Sequence, residues 1–161
     1  MGRHLLRSHR ETYPRFWEWS DAMVDFAMLN NFIFTVFGWP VHLDENPNPR
    51  SLRNFPMQAN GAEMLRIACI LGTEAGIEIC APVHDAVLIC APIGRIEADV
   101  KAMQGYMAEA SRLVLGGFEL GTDATIVHFP GRYQDKRGAV MWKRVNELIA
   151  QAAGNAEALI A

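Results

Sequence analysis

Ile77-Glu78-Ile79-Cys80-Ala81-Pro82-Val83-His84-Asp85-Ala86-Val87-Leu88-Ile89-Cys90 is the stretch on which the fold turns. Its first half alternates, with Ile77, Ile79, Ala81 and Val83 on one face of a strand. Val87 to Cys90 is a second strand-like run. His84, Asp85 and Ala86 lie between the two, so the segment predicts a tight β-hairpin with His-Asp at or beside its tip. Taken alone, that tip has an ordinary structural reading. Asp is frequent in turns because its side chain bonds nearby backbone, and a single His is usually a surface or structural residue.

Outward from the hairpin, Asn54-Phe55-Pro56 opens a helix, with Asn54 as the cap and proline in the first turn. It runs to about Thr73, and Met57, Met64, Ile67, Ala68, Ile70 and Leu71 make it apolar on more than one side. Such a helix is expected at the domain centre. After Pro92, Ile93, Ile96, Val100, Met103, Met107, Ala110 and Val114 alternate spacings of 3 and 4, an amphipathic helix with Glu97 and Lys101 as an i,i+4 pair. Gly116-Gly117 stops it. Thr122 to Phe129 is expected as a third sheet strand, Pro130 to Gly138 as a polar connector, and Ala139 to about Ala152 as a last helix. Toward the amino terminus, Phe16, Trp19, Met23 and Phe26 mark one face of a helix from about Pro14 to Asn30. Phe32 to Phe37 and Val41 to Leu43, around Gly38-Trp39-Pro40, predict a short hairpin, and Asp44 to Pro49 an exposed loop. The order is helix, hairpin, helix, hairpin, helix, strand, helix. That is an α+β domain in which helices cover one face of an antiparallel sheet. It occupies residues 1–152 and leaves a frayed tail at 153–161.

The bulk properties narrow the function classes. A chain of 161 residues holds one domain with a real core. No apolar run approaches the roughly 20 residues of a membrane span. The segment Met1 to Arg10 is basic but lacks the apolar stretch of a signal peptide. A cytoplasmic protein with no membrane partner is expected. A net charge of -3 argues mildly against an autonomous nucleic-acid binder, though a local basic face remains compatible with it. A helix would align Arg3, Arg7 and Arg10, and a plain solvated face explains them equally well. The odd set Cys69, Cys80 and Cys90 predicts free thiols, with Cys80 and Cys90 buried. No paired short Cys/His spacing points to a metal.

Upstream of the hairpin stands Arg50-Ser51-Leu52-Arg53-Asn54-Phe55-Pro56-Met57-Gln58-Ala59-Asn60-Gly61-Ala62-Glu63-Met64-Leu65, in which Arg50, Asn54 and Gln58 recur every four residues. Followed by Val83-His84-Asp85, this segment resembles the helix and hairpin motifs of family A (DNA polymerase I-like) DNA polymerases. Thr35-Val36-Phe37-Gly38 resembles that family's short Phe-Gly segment, and Tyr13-Pro14 its Tyr-Pro at the start of the preceding helix. Gly131 to Trp142 resembles the tail of a phage-like or bacterial branch. The resemblance spans about residues 10 to 150 and implies the C-terminal part of a right-hand polymerase palm. The implied activity is DNA-directed DNA polymerase, a template-directed nucleotidyl transfer in replication or repair. Asp85 resembles one of the two palm aspartates that hold magnesium, and His84 the residue beside it that contacts the primer end. Those two would be the catalytic residues. Arg50, Asn54 and Gln58, with His84, resemble the contacts to primer-template DNA. The implied partners are that DNA and a deoxynucleoside triphosphate.

The residue types suit these roles. Two ions about 3.5–4 Å apart stabilise the attacking and leaving oxygens of an in-line phosphoryl transfer, and carboxylates are hard ligands for magnesium. Asn and Gln amides donate to minor-groove acceptors that barely depend on sequence, and Arg attracts phosphate. Each also has a plain structural role: Arg50 in a solvated loop, Asn54 as a cap, Gln58 on local backbone. The chain departs from the family in two ways. Ala86 stands where the family commonly has Glu after the hairpin Asp. No Asp-Tyr-Ser-like motif with the first catalytic aspartate occurs, nor a fingers helix, since the only lysines, Lys101, Lys136 and Lys143, follow the hairpin. Isolated activity is therefore not expected. A separate chain could carry the missing palm and fingers, or the gene could be truncated. The alternatives are a non-catalytic DNA-binding remnant, or a metal-dependent nuclease in which Asp85 pairs with Glu63, Glu78 or Asp123. A missing half would also leave an apolar face exposed.

Overall fold

The computed structural model describes residues 2–160, with side chains described for residues 2–152. The chain forms two compact units, one up to Ala124 and one from Thr125 onward. The first contains α1 (Gly2–Thr12), α2 (Pro14–Asn30), β1 (Phe32–Phe34), β2 (Pro40–His42), α3 (Pro49–Glu74), β3 (Glu78–Val83), β4 (Ala86–Cys90) and α4 (Ile96–Val114). The second contains a 3-10 turn at Lys136–Gly138 and α5 (Ala139–Ile160). The fold class is α+β, with helices and small antiparallel sheets. Among the described residues no helix is long and apolar enough to cross a membrane.

α2 has Pro14 in its first turn and ends at Asn31, whose φ of 61° is left-handed and whose N–H bonds the Ala27 carbonyl. Asn tolerates that conformation better than most residues. The buried stripe is Ser20, Val24 and Ala27, not the aromatic face expected from periodicity. Phe16 and Trp19 stay 40% exposed and pack at a tilt of 43° with ring centroids 6.0 Å apart. The small side chains let α2 approach α3, where Val24, Ala27, Ile33 and Leu52 form one core cluster.

α3 starts earlier than the sequence suggests. Asn48, not Asn54, is the cap: its Oδ1 accepts the Arg50 N–H at 2.9 Å. Pro49 takes the first helical position, where its missing N–H costs nothing. Asn54 and Pro56 therefore lie inside the helix. α3 is central as expected and contacts α2, α4, β3 and β4. At Gly72 the approach is close. A Cβ there would come within 2.9 Å of Met103 Sδ and 3.2 Å of Ile79 Cδ1.

β3 and β4 pair antiparallel, with Val83 opposite Ala86, so His84-Asp85 is a two-residue turn. His84 has φ 56° and Asp85 does not have positive φ, the sign pattern of a II′ hairpin turn. An extra residue at Cys80 interrupts the register between Ile79 and Ala81. This bulge overturns the simple alternation read from Ile77 to Val83. Ile79 opposes Ile89 and packs in the core, while Val83 is 51% exposed. Cys80 and Cys90 are exposed rather than buried, and all three cysteines are free thiols. Ala68, Ile77, Met103 and Ala110 form the second core cluster, with Ile67, Ile79, Val87 and Ile89 packed on it.

α4 begins at Ile96, and its buried residues include Met103, Ala110 and Val114 of the expected stripe. Its i,i+4 ion pair is Arg95–Asp99 at 2.9 Å instead of Glu97–Lys101. Gly116 and Gly117 follow with φ of 62° and 101°. The expected strand at Thr122–Phe129 takes no strand pairing among the described residues. The segment leading into it is pinned by α4 instead. Gln104 Nε2 donates to the Thr122 carbonyl at 2.7 Å, and Ser111 Oγ accepts the Leu120 N–H at 3.0 Å. α5 runs past the expected end at Ala152. The expected frayed tail, 153–161, falls on residues whose side chains lie outside the described set.

Candidate functional site

α3 and the β3–β4 turn border a groove of about 1330 Å³. Gln58 reaches it from α3, His84 and Asp85 from the turn, and Pro82 from β3. Met57, Leu65, Ile70, Met107 and Leu120 supply apolar wall, while Arg66, Glu74 and Thr122 supply further polar groups. The two-residue turn is what aims His84 and Asp85 at this space, because a tight loop on a paired ribbon leaves little freedom at its tip.

Gln58, His84 and Asp85 line the same groove. Arg50 and Asn54 are exposed on the same run of α3 but do not line the groove. The groove follows α3 from Met57 toward Glu74, away from the turns that carry Arg50 and Asn54. His84 and Asp85 make no side-chain hydrogen bond among the described residues. Their polar atoms are free to meet a ligand.

Sequence reasoning missed a second cluster beside the groove. Glu63 is buried on α3, and both its oxygens are taken. Thr35 Oγ1 donates to Oε1 at 2.8 Å, and Arg66 donates to Oε2 through Nε at 2.9 Å and Nη2 at 2.6 Å. The Arg66 hydrogen bonds, then the Thr35 hydroxyl, hold the Glu63 carboxyl below the usual range, against the opposing push of burial. The Glu63-x-x-Arg66 spacing on a helix is the signal that could have found the pair.

The donors for a metal are sparse. Among the described residues no group of three or more His, Cys, Asp or Glu could hold an ion. Glu63 is committed to Thr35 and Arg66, so it is not free to join Asp85. Asp85 and His84 do not fit a self-contained magnesium site.

No family model matches the sequence, and no curated protein matches it. Eleven solved chains match in structure. Among them is the POL domain of Pol1 from M. smegmatis, solved in complex with DNA primer-template and dNTP, with a TM-score of 0.58 and 20% identity. The fold is polymerase-like. The match covers 68% of this chain and 23% of that one. The chain therefore spans about a quarter of the length of the structure it resembles, and at that identity the likeness is one of fold.

Proposed function

We propose that this chain is the C-terminal palm part of a family A DNA-directed DNA polymerase, and that its groove holds primer-template DNA. One observation carries the reading: Gln58 and the His84–Asp85 turn come from separate motifs and line one groove. Gln58 contacts a minor-groove base edge, His84 the primer end, and Asp85 supplies one carboxylate to magnesium. Arg50 and Asn54 extend the contact along α3 toward flanking backbone. The second aspartate and the nucleotide-binding fingers come from outside this chain, and with them nucleotide addition from a deoxynucleoside triphosphate becomes possible.

The test is binding of a primer-template duplex by the full chain at low salt. Affinity is expected to fall steeply as salt rises. Asp85→Ala is expected to keep duplex binding and to abolish nucleotide incorporation in an assembly that supplies the other elements. Lack of duplex binding at low salt, with or without such a partner, overturns the reading. The second reading is a duplex holder without chemistry, favoured by Ala86 and by the sparse carboxylates around Asp85. Duplex binding without any magnesium-dependent incorporation in the completed assembly would select it. Magnesium-dependent cleavage of DNA by the chain alone, lost in Asp85→Ala, would instead select a nuclease.

A further inference from the structure

Arg66 is the one arginine or lysine among the described residues lining the groove. It sits on α3 eight residues beyond Gln58, and its side chain is 56% exposed while that of Glu63 beneath it is 8% exposed. A guanidinium carries five donors in a planar fork. Here one edge, Nε and one Nη2 hydrogen, is committed to Glu63 Oε2. Nη1 has no acceptor among the described side chains and backbone.

Glu63 is itself fixed by Thr35, which stands at the turn of the β1–β2 ribbon and whose Oγ1 also accepts the Trp39 N–H at 3.2 Å. A buried carboxylate thus orients an exposed cation, and the cation is ordered before any ligand arrives. Exposed ion pairs contribute little to stability, and a buried carboxylate carries a desolvation cost that an apolar residue would avoid. The arrangement makes better sense as presentation of the free guanidinium edge. Eight residues of helix span about 12 Å. A minor groove is about 7.5 Å deep, so one helix with a long arginine arm reaches both a base edge and the backbone beside it.

We propose that Arg66 binds a phosphate of the nucleic-acid backbone in this groove, with Glu63 and Thr35 as the positioning residues that present it. This rests on the reading of the groove as a primer-template site. The chemistry of a phosphate oxygen is shared by the duplex backbone and by a free deoxynucleoside triphosphate, so both are measured.

The experiment is fluorescence anisotropy with the full chain and a labelled primer-template duplex over a range of salt, alongside binding of a free deoxynucleoside triphosphate. Circular dichroism checks the fold of every variant. Arg66→Gln is expected to weaken the duplex about 8-fold at 0.1 M salt and to lower the salt slope by about 1. Arg66→Lys keeps most of the slope and loses part of the affinity. Glu63→Gln weakens the duplex in the wild-type background and has no further effect in Arg66→Gln, which a merely structural role would not produce. Thr35→Val serves as the positioning variant if Glu63→Gln does not fold. If the wild type binds, Gln58→Ala binds less and Arg66→Gln keeps both affinity and slope, the inference falls and the groove reading stands. If the wild type does not bind duplex, the groove reading falls and takes the inference with it. A loss confined to the free triphosphate overturns the assignment to the backbone.

Discussion

Glu63 contributes to the acid side of the stability curve. Its pKa is depressed in the folded state. Its stabilising contribution is therefore complete above the unfolded value, about 4.3 for a free Glu, and is lost as pH falls through the lower folded value. Glu63→Gln is expected to cost about 1–2 kcal/mol near neutral pH through lost charge-assisted hydrogen bonds. It should also flatten the drop in stability on acidification, measured by urea unfolding between pH 7 and pH 3. His84 carries a local conflict of a different kind. It holds a left-handed φ of 56° at the turn, which costs an L-residue roughly 1 kcal/mol. His84→Gly is expected to hold or raise the melting temperature while weakening duplex binding, so stability and function move in opposite directions. The hairpin tip was legible because a two-residue turn leaves a plain pattern. The Thr35–Glu63–Arg66 relay was not, because Thr35 and Glu63 are 28 residues apart and nothing local announces the contact.

At the scale of elements, the boundaries depend on capping chemistry that sequence pattern only half reveals. α2 begins and ends where its Pro14 and Asn30-Asn31 indicate. In sequence the start of α3 reads six residues late, because Asn54-Phe55-Pro56 imitates a start that Asn48-Pro49 already provides. Asn48→Ala is expected to destabilise the chain by about 1 kcal/mol, visible as a lower urea midpoint with unchanged slope. Asn54→Ala, now inside the helix and exposed, should leave the midpoint nearly unmoved. Comparing the two separates cap from contact: the first changes stability, the second changes duplex affinity if Asn54 touches DNA. The expected strand at Thr122–Phe129 has suitable residues, yet a strand also requires a free partner edge in register. Among the described residues the hydrogen bonds near its start go to Gln104 and Ser111.

For the whole molecule, the expectation of an uncovered apolar face has clear counterparts. Val83 and Leu88 on the outward side of the β3–β4 ribbon are 51% and 56% exposed. Leu88→Lys is expected to change folding stability by less than about 0.5 kcal/mol. It should reduce concentration-dependent association in sedimentation, because it interrupts that surface. A net charge of -3 also means that any attraction to DNA must come from local placement of cations such as Arg66. The Cys80 bulge has a consequence of its own. Two alternations run out of phase by one residue along this ribbon, and Cys80 absorbs the difference. Deleting it would leave Ile79, Val87 and Ile89 pointing inward but would unwind the extra local coil, re-aiming the tip with the core untouched.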